Sequence, residues 1–101
     1  MQGVPLARAV ATALHNVVSH DGPAQDAARD VGAGQVAMAL LRFGTALGLS
    51  RGLIPAGAGL VRSLAEGNPL NQQAFGGLGT LSLLLQILEV CYGCLSHALA
   101  P

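Results

Sequence analysis

Lysine and tryptophan are both absent from this chain of 101 residues, which also holds only one tyrosine and two phenylalanines. Without clustered basic side chains nothing neutralises a run of phosphates, and without aromatic faces nothing stacks on bases; both absences argue against a nucleic-acid partner. Charged residues are scarce as well, at 10% against about 25% in an ordinary globular domain. Five basic and five acidic residues balance to a net charge of zero, so no field of one sign is available to steer a charged ligand. Only two cysteines occur, Cys91 and Cys94, which supplies no disulfide framework and makes a reducing compartment, the cytoplasm or the nucleus, the expectation. The first 18 residues lack a basic segment followed by an unbroken apolar run, so no secretory signal is read there.

What is present is apolar. Residues of the hydrophobic class make up 51% of the chain, with 14 glycines among the rest. At this length one domain is expected, able to bury about two-thirds of the surface that its unfolded chain exposes.

Residues 68–88 carry the clearest local signals. Asn68 and Pro69 form a helix start, the amide oxygen accepting an orphan N–H and the proline standing where no donor is needed. Gly76, Gly77 and Gly79 then predict a stop, and a long apolar helix is expected from Leu78 to about Val90. Its leucines at 78, 81, 84, 85 and 88 leave one polar line of Ser82, Gln86 and Glu89, so the helix belongs inside a layered protein or a membrane.

Shifted by 47 positions, residues 24–42 fall on 71–89. Gln25 meets Gln72, Ala27 meets Ala74, Gly32 meets Gly79, and Leu40 and Leu41 meet Ile87 and Leu88. The same shift brings Asp21 onto Asn68, both of them N-cap residue types. A fixed internal period of this size is the mark of a stacked helical array.

Residues 71–88 resemble the first two helices of an armadillo repeat, and residues 11–34 resemble the end of a third helix running into the next unit. The resemblance spans about residues 9–89, and the related HEAT repeat shares the pattern. It implies an all-α, right-handed armadillo-like solenoid of three-helix units whose third helices line a concave, protein-binding face. On this reading 1–101 is a single segment, with units at about 21–66 and 68–101 after a third-helix remnant at 5–19. A repeat array needs about three units for stability alone; the chain therefore looks like a fragment, or a piece that joins another protein or the remainder of a larger solenoid.

Helices are expected at 5–19, 23–31, about 35–43, 55–66, and on either side of the glycines at 76–79, with a loop at 44–53. Leu6, Val10, Ala13, Leu14 and Val17 form the expected buried side of the first helix. Arg8, Thr12, His15, Asn16, Arg62, Ser63 and Glu66 fall on the expected outer face of the third helices, and the resemblance makes them the candidate partner-binding residues. Asn16 stands where many armadillo proteins hold the backbone of an extended peptide, although Ser63 occupies the matching place in the next unit and no tryptophan precedes either. Exposed apolar ends are a second expected association surface.

Chemistry finds little support. Cys91 and Cys94 make a CxxC with His97 three residues on, but a zinc site draws on a second ligand pair and a redox site on a βαβ setting, so small apolar residues in a helix are the plainer reading. The carboxylates Asp21, Asp26, Asp30, Glu66 and Glu89 fall on caps and outer faces without an acid and base pairing. No phosphate-binding glycine motif can be assembled. A non-catalytic interaction segment without cofactor or metal is therefore expected. The competing reading is a small membrane-associated or single-span protein, because residues 78–95 hold one charge, Glu89; the polar line on that helix and the missing basic and aromatic anchors weigh against it.

Overall fold

The computed structural model describes residues 3–46 and 52–99, with side chains described as far as residue 90. Six helices follow one another: α1 Gly3–Val18, α2 Gly22–Asp30, α3 Ala33–Ala46, α4 Leu53–Ala65, α5 Pro69–Gly77 and α6 Thr80–Leu99. No strand occurs among the described residues, so the protein is all-α.

Local chemistry accounts for the boundaries. Asp21 caps α2 by accepting from the Ala24 N–H at 3.1 Å, and Asn68 caps α5 by accepting from the Asn71 N–H at 3.0 Å. The next residues, Gly22-Pro23 and Pro69-Leu70, place a proline in the first turn of each helix, where its missing N–H costs nothing. The preceding helices end on a residue of positive φ, Gly67 at 67° after α4 and His20 at 59° after α1. Glycine enters that region freely; the histidine does so at a cost of about 1–2 kcal/mol.

The 47-residue offset carries over into the backbone. α2 and α5 begin at positions 22 and 69 and end at 30 and 77; α3 and α6 begin at 33 and 80; α1 and α4 end at 18 and 65. The positive-φ residues His20 and Gly67 obey the same offset, as do Gly32 and Gly79. Each helix touches its counterpart, α1 on α4, α2 on α5 and α3 on α6.

α4 is the central element. Its Leu60 and Leu64 are 0% and 1% exposed and sit in one core cluster with Val18, Ala28, Ala33, Ala37 and Phe75. A second cluster joins Met38, Leu41 and Ile87, with Ile54, Ala58 and Val61 of α4 against it. α3 approaches α4 closely enough that a Cβ on Gly57 would stand 3.0 Å from the Leu41 side chain, and one on Gly44 3.0 Å from Ile54. Contacts pairing 44 with 54 and 41 with 57 run in opposite senses, so α3 and α4 are antiparallel.

Two expectations are corrected and one alternative is decided. The loop placed at 44–53 is helix as far as Ala46, and helix resumes at Leu53; residues 47–51 lie outside the described residues. The stretch after Glu89, for which the sequence allows either a continuation of the long helix or a truncated third helix starting near Cys91, continues α6 to Leu99. The buried side of α1 is Ala11, Val18 and the half-buried Ala7 and Leu14, whereas Leu6, Val10 and Val17 are 65%, 58% and 65% exposed and Ala13 is exposed. Two apolar stripes lie side by side on this helix, and α4 covers only one.

Leu60→Ala removes a fully buried side chain at the junction of α1, α2 and α4, and should lower stability by about 2–5 kcal/mol. Chemical denaturation followed by circular dichroism checks this, with a fall in midpoint at unchanged denaturant slope as the expected result.

Candidate functional site

α1 and α4 lie side by side and run in the same direction, since the contacts pairing 8 with 52 and 15 with 59 advance together. Between them opens a groove of about 210 Å³ lined by Ala11, Thr12, His15, Pro55, Ala56 and Gly59. Small residues on the α4 side leave the space, and α1 supplies the polar groups. The His15 Nδ1–H donates to the Gly59 carbonyl at 3.2 Å, which fixes the ring across the groove and leaves Nε2 as an acceptor. Thr12 Oγ1 donates back to the Arg8 carbonyl at 2.9 Å, so its proton is committed within the helix and it can meet a ligand only as an acceptor or through its methyl group. At the mouth, the Arg8 side chain lies over Gly52, where a Cβ would come within 2.7 Å of its Nε. Gly52 also holds φ 74°, so its backbone favours glycine, whereas a Cβ there would only displace the flexible end of Arg8.

Of the seven candidate partner-binding residues, the structure brings Thr12 and His15 to this groove, with Arg8 one turn away against Gly52. Asn16, Arg62 and Glu66 are exposed. Ser63 is not on the accessible face: it is 1% exposed and its hydroxyl donates to the Leu60 carbonyl at 3.1 Å. Its burial follows from the adjacent α2, whose Gln25 covers the end of α4.

That covering is a polar cluster that sequence reasoning missed. Gln25, 2% exposed, donates through Nε2 to the carbonyls of Ser63 and Glu66 at 2.8 and 3.1 Å, and accepts at Oε1 from Asn68 Nδ2 at 3.1 Å. Asn71, also 2% exposed, donates to the carbonyls of Gln25 and Leu64 at 3.2 and 2.8 Å and accepts from Arg29 at 2.8 Å. Asp26 closes the ring, accepting from Asn68 and Arg29, both at 2.9 Å. Among the described residues, no buried side-chain nitrogen or oxygen lacks a partner. Two α4 C-terminal carbonyls that the helix leaves unpaired are thereby satisfied. Default reasoning places glutamine and asparagine outside; the one available signal was that Gln25 recurs as Gln72 at the 47-residue offset.

A second concavity of about 130 Å³ adjoins this cluster, lined by Arg29, Gln35, Asn71 and Phe75 among others. An apolar groove of about 480 Å³ runs between α1 and α3, lined by Val4, Ala7, Val36, Leu40, Phe43 and Leu53 among others. Among the described residues no group of His, Cys, Asp and Glu is arranged to hold a metal ion. The side chains of Cys91, Cys94 and His97 lie outside the described residues. No single described helix is long and apolar enough to cross a membrane; α5 and the following residues 80–90 reach that composition only together, across a bend of 74°.

The hydrogen bonds from Asn68 and Arg29 hold the Asp26 carboxyl below its ordinary pKa of 3.8. A carboxyl whose folded pKa is depressed stabilises the fold above its unfolded pKa, and that contribution fades as pH falls through the folded value. Thermal melts should therefore lose midpoint as pH drops below about 4, and Asp26→Asn should flatten that part of the profile. Gln25→Ala, which strands the buried Ser63 carbonyl and the part-buried Glu66 carbonyl, should cost about 2 kcal/mol at neutral pH by denaturant titration. Comparison with known proteins gives no relative: no family model, no curated protein and no solved structure matches this chain.

Proposed function

We propose that this chain is an armadillo-like α-solenoid segment, a non-catalytic scaffold that binds another protein along the face shared by α1 and α4. The observation that carries the reading is the 47-residue recurrence of helix ends, capping residues and positive-φ positions, together with the contact of each helix with its counterpart. Helices that repeat in this way expose one continuous row, and a row of side chains at regular spacing suits an extended peptide better than a small molecule. The α1–α4 groove supports the choice of face. It is shallow and narrow, it offers an imidazole acceptor from His15, and Asn16 and Arg62 stand exposed beside it. An asparagine amide, with both donor and acceptor, can pair with a peptide backbone unit, while Arg8 and Arg62 suit carboxylates of an acidic segment.

The test is a displayed peptide library selected against the purified chain, with the best binder measured against Asn16→Ala and Arg62→Ala. Asn16→Ala should weaken binding up to about tenfold, the worth of one peptide hydrogen bond at about 1.4 kcal/mol per decade, and Arg62→Ala about two- to fivefold, the worth of an exposed ion pair, with the melting curve unchanged because both sites are exposed. Equal affinity for the wild type and both variants would remove the groove as the binding face.

A further inference from the structure

The two outer faces of the molecule are apolar, and the 47-residue correspondence says what each is built to touch. Leu6, Val10, Ala13 and Val17 of α1 are exposed. Their counterparts on α4 are Leu53, Gly57, Leu60 and Leu64, all buried, and this is the side that α4 turns to α3. At the other end, Met38 and Leu41 of α3 are 1% and 0% exposed, while their counterparts on α6, Leu85 and Leu88, are 52% and 63% exposed. Each half of the internal α3–α4 interface thus has an uncovered equivalent, one on α1 and one on α6.

We propose that a second copy of this chain provides the cover, α6 of one copy receiving α1 of the next as α3 receives α4. This rests on the tandem-unit reading given above. The established α3–α4 contact extends outward without a change of chemistry, because neither exposed stripe carries a charge. On the receiving copy, Ala58, Val61 and Ala65 of α4 are half-buried and correspond to Ala11, Leu14 and Val18, the side of α1 that α4 covers. They supply the floor against which the incoming α1 would rest.

At the polar ends one pair keeps its sense and the other exchanges donor and acceptor. Inside the chain Gln25 donates to the carbonyls of Ser63 and Glu66, and Asn68 donates to Asp26. Between copies the corresponding residues are Gln72 facing the carbonyls of Asn16 and Ser19, and Gln73 facing Asp21. Gln72 and Gln73 are both exposed; one N–H of Gln72 Nε2 already donates to the Ala65 carbonyl at 2.9 Å, which leaves one donor for the carbonyls opposite, and Gln73 has donors for Asp21. Bulk is transposed by one turn: Val10 replaces Gly57 and Ala13 replaces Leu60, so the helix pair stands further apart at position 10 and closes at position 13. A contact between unlike faces does not close on itself, and the association is open-ended.

Sedimentation velocity over a range of concentrations tests this on the full chain with Val17→Asp and Leu88→Asp, both positions being exposed enough to leave the fold intact. The wild type should rise in mass past the dimer, and each variant alone should stay monomeric with an unchanged helical spectrum. An equal mixture of the two should form a dimer that grows no further, since V17D keeps its α6 face and L88D its α1 face. Leu6→Asp and Leu85→Asp repeat the same pairing should either variant lose helicity. The proposal is overturned by a wild type that remains monomeric at every concentration, by a mixture that remains monomeric, or by L88D associating like the wild type, the result for an α1–α1 contact. It is also overturned by binding to phosphatidylcholine vesicles that L88D abolishes without any self-association, which gives the face to a lipid surface. Peptide binding that still depends on Asn16 in a strictly monomeric chain removes this proposal alone; a mixed dimer whose peptide binding ignores Asn16 removes only the groove.

Discussion

Two amide side chains, Gln25 and Asn71, join the ends of three helices, and the rest of the arrangement follows from where they hold them. The C-terminus of α4 presents carbonyls that no helical N–H can reach, and burying them unpaired would cost about 1–3 kcal/mol each. Gln25 from α2 and Asn71 from α5 supply the donors. Because both amides are neutral, they satisfy these groups without the desolvation cost of a buried charge. The ionic members, Asp26 and Arg29, stay at the edge with side chains 49% and 27% exposed, where water shares the load.

The cluster also sets which leucines are inside. With α2 and α5 fixed at one end of α4, α3 is left to lie antiparallel along its length, and the glycines at 44 and 57 let the two axes come close. α1 then meets α4 on the side opposite the Gly57 contact, leaving the shallow groove bridged by the bond from His15 to Gly59. A protein with only 10% charged residues can be helical and specific in this way because its few polar side chains are spent on helix ends.

Much of this was legible in the residues. Asp21 and Asn68 announced helix starts, Gly79 announced a stop while Gly76 and Gly77 proved helical, and the 47-residue offset matched elements that the backbone places in register. The buried faces were not legible on α1 and α6. On both, apolar residues cover more than half the circumference, so periodicity selects no unique side, and the leucine row at 81, 85 and 88 is outside while Thr80 and Ile87 are inside. Ser63 misled for the complementary reason: a small hydroxyl bonded to its own helix reads as surface in a sequence and is buried in the structure. Of the candidate groove, Thr12 and His15 were identified; the residues that shape its far wall, Pro55, Ala56 and Gly59, carry no chemistry by which to find them.

The central position of α4 has a consequence for how the molecule comes apart. α4 is packed by α1, α2, α3 and α5, whereas among the described residues α6 is held by α3 and α5. Local opening free energies scale with such contacts, so amide exchange grades from slowest in α4 to fastest in α6, and the molecule frays from one end before its centre yields. A helix that detaches while the remainder stays folded gives this small chain an order of disassembly.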